Sequence, residues 1–329
     1  MSYNRIGTPT FYIDAMLLAR QWGAITSESA TYGKFNLNPP KVTELGITAS
    51  SNKYIYIDFE NRYWCNSISH CFVLGHNFKT DNIGISVKTE GDGGSESLFG
   101  NDIPAYNGWT KYSRDTSVTN VDYNRFVVTL NNSEGSDKSV KLGDVSAGWS
   151  HKMSHSPDLE LTQTFSNESI KTQTTLGGHT LTNAGHNHQP NWIRQPWTTG
   201  TNVTGTEGRT VFPVGRRSWN LKFSYVSDTG LFPSSHNSAT GIFQWTFTSE
   251  DVDANGIIDE NEGTTHYSIK DNFLDKCYHS TNGFQLPFIF QPNSNVEEYA
   301  ICRVVNKSMK FEQVANNVYN INLDIVEVW

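Results

Sequence analysis

The 329-residue chain is predicted to fold as a mainly β protein, and three observations lead there. Asn, Ser and Thr each occur 32 times and Gly 26 times, so more than a third of the residues favour turns, loops and strand faces over helix interiors. Apolar and polar residues alternate in many short runs, the period of a sheet with one wet side. Only two stretches carry the apolar spacing of a helix. At about 100 to 200 residues per domain, the length suits two domains. The pattern weakens after Ser146, which places the boundary near residue 157, between a domain 1–157 and a domain 158–329.

Taken in order, the first element is a helix. Asp14 is positioned to cap a short helix through Ala15, Leu17, Leu18 and Trp22, and Gly23 to end it in the left-handed conformation. Ile83, Ile85 and Val87 then alternate with Gly84, Ser86 and Lys88, and Phe126, Val128 and Leu130 repeat the pattern. A strand is expected over 159–165. Trp219, Leu221, Phe223 and Tyr225 are assigned to one inward face, Phe243, Trp245 and Phe247 to another, and Tyr319, Ile321, Leu323 and Ile325 to the last. The second helix is expected over 266–280, where Ile269, Phe273 and Cys277 recur every four residues.

Charge narrows the function. With 25 Lys+Arg against 33 Asp+Glu the chain carries a net charge of −8, so it lacks the basic footprint that nucleic-acid recognition requires. Residues 1–10 lack an apolar signal-peptide core, and no run is long enough to span a membrane. Cys65, Cys71, Cys277 and Cys302 follow no metal-site spacing and are expected to be free, mostly buried thiols.

The sharpest local motif runs from Asp251 to Glu262 and fits the calcium-loop template D-x-[DN]-x-[DN]-G-x5-E at each defined position. The side chains of Asp251, Asp253 and Asn255, the carbonyl of Ile257, Asp259 through water, and both carboxylate oxygens of Glu262 would hold Ca2+, while Gly256 permits the turn. Because the preceding residues alternate as a strand, the expected frame is strand–loop–helix and not an EF-hand. An acidic solvated loop is the alternative. Histidines form a second cluster, His151, His155, His179, His186 and His188, in which the His186/His188 pair would point two rings to one side of a strand, as a transition metal needs. Hydrogen-bonding loop histidines would look the same. No nucleophile elbow, zinc-protease motif, phosphate loop or dinucleotide fingerprint is present, so the sequence reads as non-enzymatic.

The order of elements in the second half resembles tail-tip proteins of tailed bacteriophages. It is carried by Arg216-Arg217-Ser218-Trp219-Asn220-Leu221-Lys222-Phe223, Asn272-Phe273-Leu274, Leu286-Pro287-Phe288-Ile289-Phe290-Gln291-Pro292, Tyr299-Ala300-Ile301-Cys302-Arg303, and the closing run from Val318 to Glu327-Val328-Trp329. The resemblance implies a tail-tube-like split β-barrel with a flanking helix over residues 158–329. It also implies assembly as a ring, a hexamer on family grounds, between the tail tube and the host-recognition apparatus. In the first half, Ile55 to Phe59, Phe72 to Asn77 and Ile83 to Val87 resemble a galactose-binding-type jelly roll, a β-sandwich. The expectation is therefore a structural virion protein made in the host cytoplasm, a distal tail or baseplate hub component contacting itself and other tail proteins (tail tube, tail hub or fibre). The alternative is an adhesin that binds host surface glycans, with Tyr106, Trp109 and Tyr112 stacking on sugars.

Overall fold

The computed structural model describes residues 6–29, 42–60, 62–91, 96–105, 107–114, 123–159, 162–166, 171–182, 216–232, 272–306 and 308–328. Over these residues the chain is mainly β, as expected, and its strands pair antiparallel. The first element, β1 (Thr10–Asp14), runs into helix α1 (Ala15–Trp22), whose ends match the sequence reading. Asp14 accepts from the Met16 and Leu17 amides, at 2.8 and 3.3 Å, and Gly23 closes the helix at φ 70°.

There follow β2 (Ile25–Glu28), β3 (Thr43–Ile47), β4 (Ser51–Phe59), α2 (Arg62–Ser67), β5 (His70–His76), α3 (Phe78–Asp81), β6 (Gly84–Gly91), β7 (Glu96–Asp102) and β8 (Gly108–Ser113). Next come β9 (Tyr123–Asn132), β10 (Lys138–Leu142), β11 (Asp144–Lys152), β12 (Thr162–Ser166), β13 (Thr172–Thr174) and β14 (Thr180–Thr182). The remainder comprises β15 (Arg216–Ser227), α4 (Asp228–Leu231), β16 (Phe288–Gln291), β17 (Ala300–Val304), β18 (Phe311–Ala315) and β19 (Val318–Glu327).

Two sheets dominate. A five-stranded sheet has the order β2-β4-β9-β6-β7. The other is ten-stranded, with the path β12-β15-β19-β17-β16-β1-β11-β5-β8 and β18 paired to β19. Strand β1 pairs with β11 on one side and β16 on the other, so the boundary expected near residue 157 does not coincide with a break in this sheet. Inward side chains from both sheets, among them Ile55, Ile57, Phe126 and Val128 with Phe11, Val73, Trp149, Trp219 and Phe290, belong to one buried apolar cluster.

The central strands of the large sheet are buried on both faces. All seven residues of β5 are buried: Cys71 and Val73 point into the main core, while Phe72 and Leu74 join Tyr12, Trp109, Ile289, Tyr299 and Ile301 in a second cluster on the opposite face. On β11 the residues of that second face, Ser146, Gly148 and Ser150, are small, whereas Val145, Ala147 and Trp149 fill the main core. Gly148 is required by proximity, because a Cβ there would lie 2.1 Å from the Ile13 carbonyl oxygen, far inside van der Waals contact.

Two elements differ from the sequence reading. Tyr225 was expected inward with Phe223, yet it is exposed, because the register between β15 and β19 shifts between Phe223 and Val226, and Tyr225 takes φ 62°. The bulge hands the inward position to Val226. Of the second helix, expected over 266–280, residues 266–271 lie outside the described residues, and the remainder forms a π-helical turn, Leu274–Tyr278, followed by a 3-10 turn, His279–Thr281. The strand of Phe243, Trp245 and Phe247 lies outside the described residues. A buried arginine ties the outer strands together: Arg217 on β15 donates to both carboxylate oxygens of Glu327 at 3.1 and 3.0 Å, to Glu298 Oε1 at 2.8 Å and to the Tyr299 carbonyl at 2.8 Å.

Candidate functional site

The calcium-loop residues Asp251, Asp253, Asn255, Ile257, Asp259 and Glu262 lie outside the described residues, as do His186, His188 and Tyr106. His151 is buried with its ring edge-on to Phe273, His155 donates through Nδ1 to the Ser156 carbonyl at 2.8 Å, and His179 sits exposed between β13 and β14. Among the described residues no three His, Cys, Asp or Glu side chains converge as a metal-ligand set. The four cysteines are free and buried, with burial pushing the thiols of Cys65, Cys71 and Cys302 up and away from thiolate chemistry.

The sugar platform expected from Trp109 and Tyr112 is corrected. Both residues belong to β8, whose alternation turns Trp109 into the second apolar cluster, where it meets Tyr299 at 5.1 Å, and Tyr112 into the main core, its hydroxyl donating to Asp102 at 2.8 Å. Neither ring has a free face to offer a ligand.

Two surfaces stand out instead. One is an arm comprising the described residues 159, 162–166 and 171–182. Strand β12 is the outermost strand of the large sheet, paired only with β15 on the path given above. Strands β13 and β14 pair with each other and, among the described residues, with no other strand. Gly178, at φ 83°, and the bond from its amide to the Thr175 carbonyl close the turn. Leu159 and Leu176 are fully exposed and Phe165 and Leu181 about half-exposed, so four large apolar side chains face water within one short stretch. An isolated two-stranded hairpin is marginal in water, and clustered exposed apolar groups mark contact surfaces.

The other surface is a cleft of about 510 Å³ on the second face of the large sheet, where strands from both halves of the chain meet. Lys111 on β8 lies across the small residues of β11 and donates from Nζ to Tyr12 Oη on β1 at 2.8 Å. Tyr12 in turn donates to Gln291 Oε1 at 2.8 Å, and Gln291 Nε2 donates to the Val296 carbonyl at 2.8 Å. The ammonium stands 4.5 Å from the centroid of the Tyr12 ring, 5.7 Å from that of Tyr299 and 5.9 Å from that of Phe72. Burial pushes the Lys111 ammonium down and Glu297 at the rim pulls it back up. Burial likewise pushes the Tyr12 and Tyr299 hydroxyls up, so both phenols stay protonated. The polar chain is thereby fixed in one direction: ammonium to phenol, phenol to amide, amide to backbone. Sequence reasoning missed the cleft because Tyr12 is 99 residues from Lys111 and 279 from Gln291. The available signal is the small-residue alternation Ser146, Gly148, Ser150 on a strand otherwise built for a core.

Beyond the cleft, Asp14 and Asp144 form a buried acidic pair. Burial raises Asp14 to about 6, against the Met16 amide, Arg20 and Ser146, which lower it. Asp144 is likewise raised well above the usual carboxylate range, by burial and then by Asp14 itself. Both are too enclosed to meet a substrate. No described helix is long and apolar enough to cross a membrane. The sequence matches no family model and no curated protein.

Proposed function

We propose that the chain is a non-enzymatic structural protein that assembles with copies of itself, and that its place is the tail tip of a tailed phage. There it acts as a distal tail or baseplate hub ring between the tail tube and the host-recognition apparatus. In this reading the five-stranded sheet and the strands facing it act as a jelly-roll module, and the strands from β12 to β19 belong to a tail-tube-like split β-barrel with a flanking helix. The observation that carries it is the exposure of Leu159, Phe165, Leu176 and Leu181 among the described residues of the arm, which suits burial against a neighbouring copy. Among the described residues β12 pairs only with β15, which leaves an edge through which sheets of adjacent copies can pair. The element order of the second half, with β15, the helical turns, β16, β17 and β19, supports the tail-tip resemblance. The loop from Asp251 to Glu262 is assigned to calcium in the same proposal.

Solution mass tests the reading. The purified full chain should run as a discrete oligomer, and replacing the hairpin leucines, Leu176→Asp with Leu181→Asp, should release folded monomers. An oligomer that survives both substitutions would remove the arm from the interface, and a chain that stays monomeric at high concentration would remove the ring.

A further inference from the structure

We infer that the Lys111 cleft is a binding site for a carboxylate-bearing saccharide, with the acid group on Lys111. An ammonium has three donors. Among the described residues Tyr12 Oη is the hydrogen-bond acceptor of Lys111, which leaves the other donors for the cleft that Lys111 lines. A surface lysine ordinarily keeps its head in bulk water and moves freely. Lys111 instead is pinned among three aromatic rings and held by a phenol that is itself fixed by Gln291. The rigid cation is thus prepared before any ligand arrives, which lowers the ordering cost of binding.

The surroundings select the ligand class. Lys152 adds a second cation at the wall and Glu297 a single anion at the rim, a balance suited to one negative charge and ill-suited to a phosphate dianion. Thr10, Ser150, Ser294 and Asn295 line the rest with hydroxyl and amide groups, complementary to the hydroxyls of a sugar. A cleft of about 510 Å³ falls within the range of small-molecule sites. The site goes beyond the assembly role and does not depend on it.

The test is titration of the intact chain by calorimetry and ligand-observed NMR with D-glucuronate and N-acetylneuraminate, against D-glucose, acetate and inorganic phosphate. At least one sugar acid should bind, more tightly than glucose, acetate or phosphate. Lys111→Met, which keeps the stem and removes the charge, should weaken that binding by on the order of tenfold or more. Asn295→Asp lies on an exposed loop and adds a repelling charge without touching the core, so it should weaken the sugar acid several-fold even if Lys111→Met fails to fold. Absence of sugar-acid binding at millimolar concentration would overturn the assignment. So would glucose, acetate or phosphate binding as well as the sugar acids, or an affinity that Asn295→Asp leaves unchanged.

Discussion

Replacing Asp14 by Asn separates two roles that one carboxylate plays at the start of α1. Its Oδ1 caps the helix through the Met16 and Leu17 amides, a role that asparagine fills about as well. Its charge, however, is buried at 4 % exposure, and burial lifts the carboxyl from 3.8 to about 6. A carboxyl raised in the folded state favours the fold in its protonated form. That contribution is complete below the unfolded value of 3.8 and disappears as the pH climbs through about 6. At about 1.4 kcal/mol per pH unit, the loss above about pH 7 comes to ~3 kcal/mol. Asparagine does not titrate, and the favourable charge at the helix N-terminus that it gives up is already contained in the net value of about 6. Its amide must also find an acceptor, at about 1 kcal/mol if it does not. Asp14→Asn should therefore match or fall slightly below the parent near about pH 4.5 and exceed it by ~1–2 kcal/mol near about pH 8. Urea unfolding followed by tryptophan fluorescence at the two pH values reads the difference. A difference of equal size at both, or a variant less stable at the higher pH, would refute the placement of a buried charge at Asp14.

Three further outcomes follow from the packing and the loop. Arg217→Met should cost about 3–5 kcal/mol by stranding Glu327, which is 1 % exposed, and adding Glu327→Leu should recover much of that; equal losses in the single and double variants would contradict a buried pair. Gly148→Ala should destabilise by about 2 kcal/mol or more, since its Cβ would meet the Ile13 carbonyl oxygen and the Ala15 amide, and unchanged melting would show that β1 and β11 do not approach so closely. A chelator should lower the melting temperature and excess calcium restore it, by roughly 2.7 kcal/mol at a hundredfold excess over the dissociation constant, with Glu262→Gln abolishing the response; melting indifferent to chelator would leave a solvated acidic loop.

Local signals in the sequence carried further than long-range ones. Asp14 and Gly23 marked both ends of α1 because a cap is decided by residues within one turn. The alternation of Phe126, Val128 and Leu130 located a buried face for the same reason: strand geometry alone sets period two. The alternation failed at Tyr225, where one bulge reverses the faces and no local composition announces it. Trp109 and Tyr112 misled because aromatic residues next to Gly108 read equally as a loop platform or as a strand between two cores, and the choice depends on β5 and Tyr299 far away in sequence. The cleft required β1, β8, β11 and β16 to become neighbours, which is a property of topology. Arg217 and Glu327 stood out in the sequence only as parts of a family-like order; their ion pair is also a product of the β15–β19 register.

Assembly into a closed ring is the central proposal, and imaging the purified oligomer of this chain by electron microscopy tests it most directly. Closed rings of one size, six-fold under the tail-tip proposal, should dominate, and the Leu176→Asp and Leu181→Asp double variant should show single particles of monomer size under the same conditions. Monomers in both samples, or open filaments and irregular aggregates in place of rings, would contradict it.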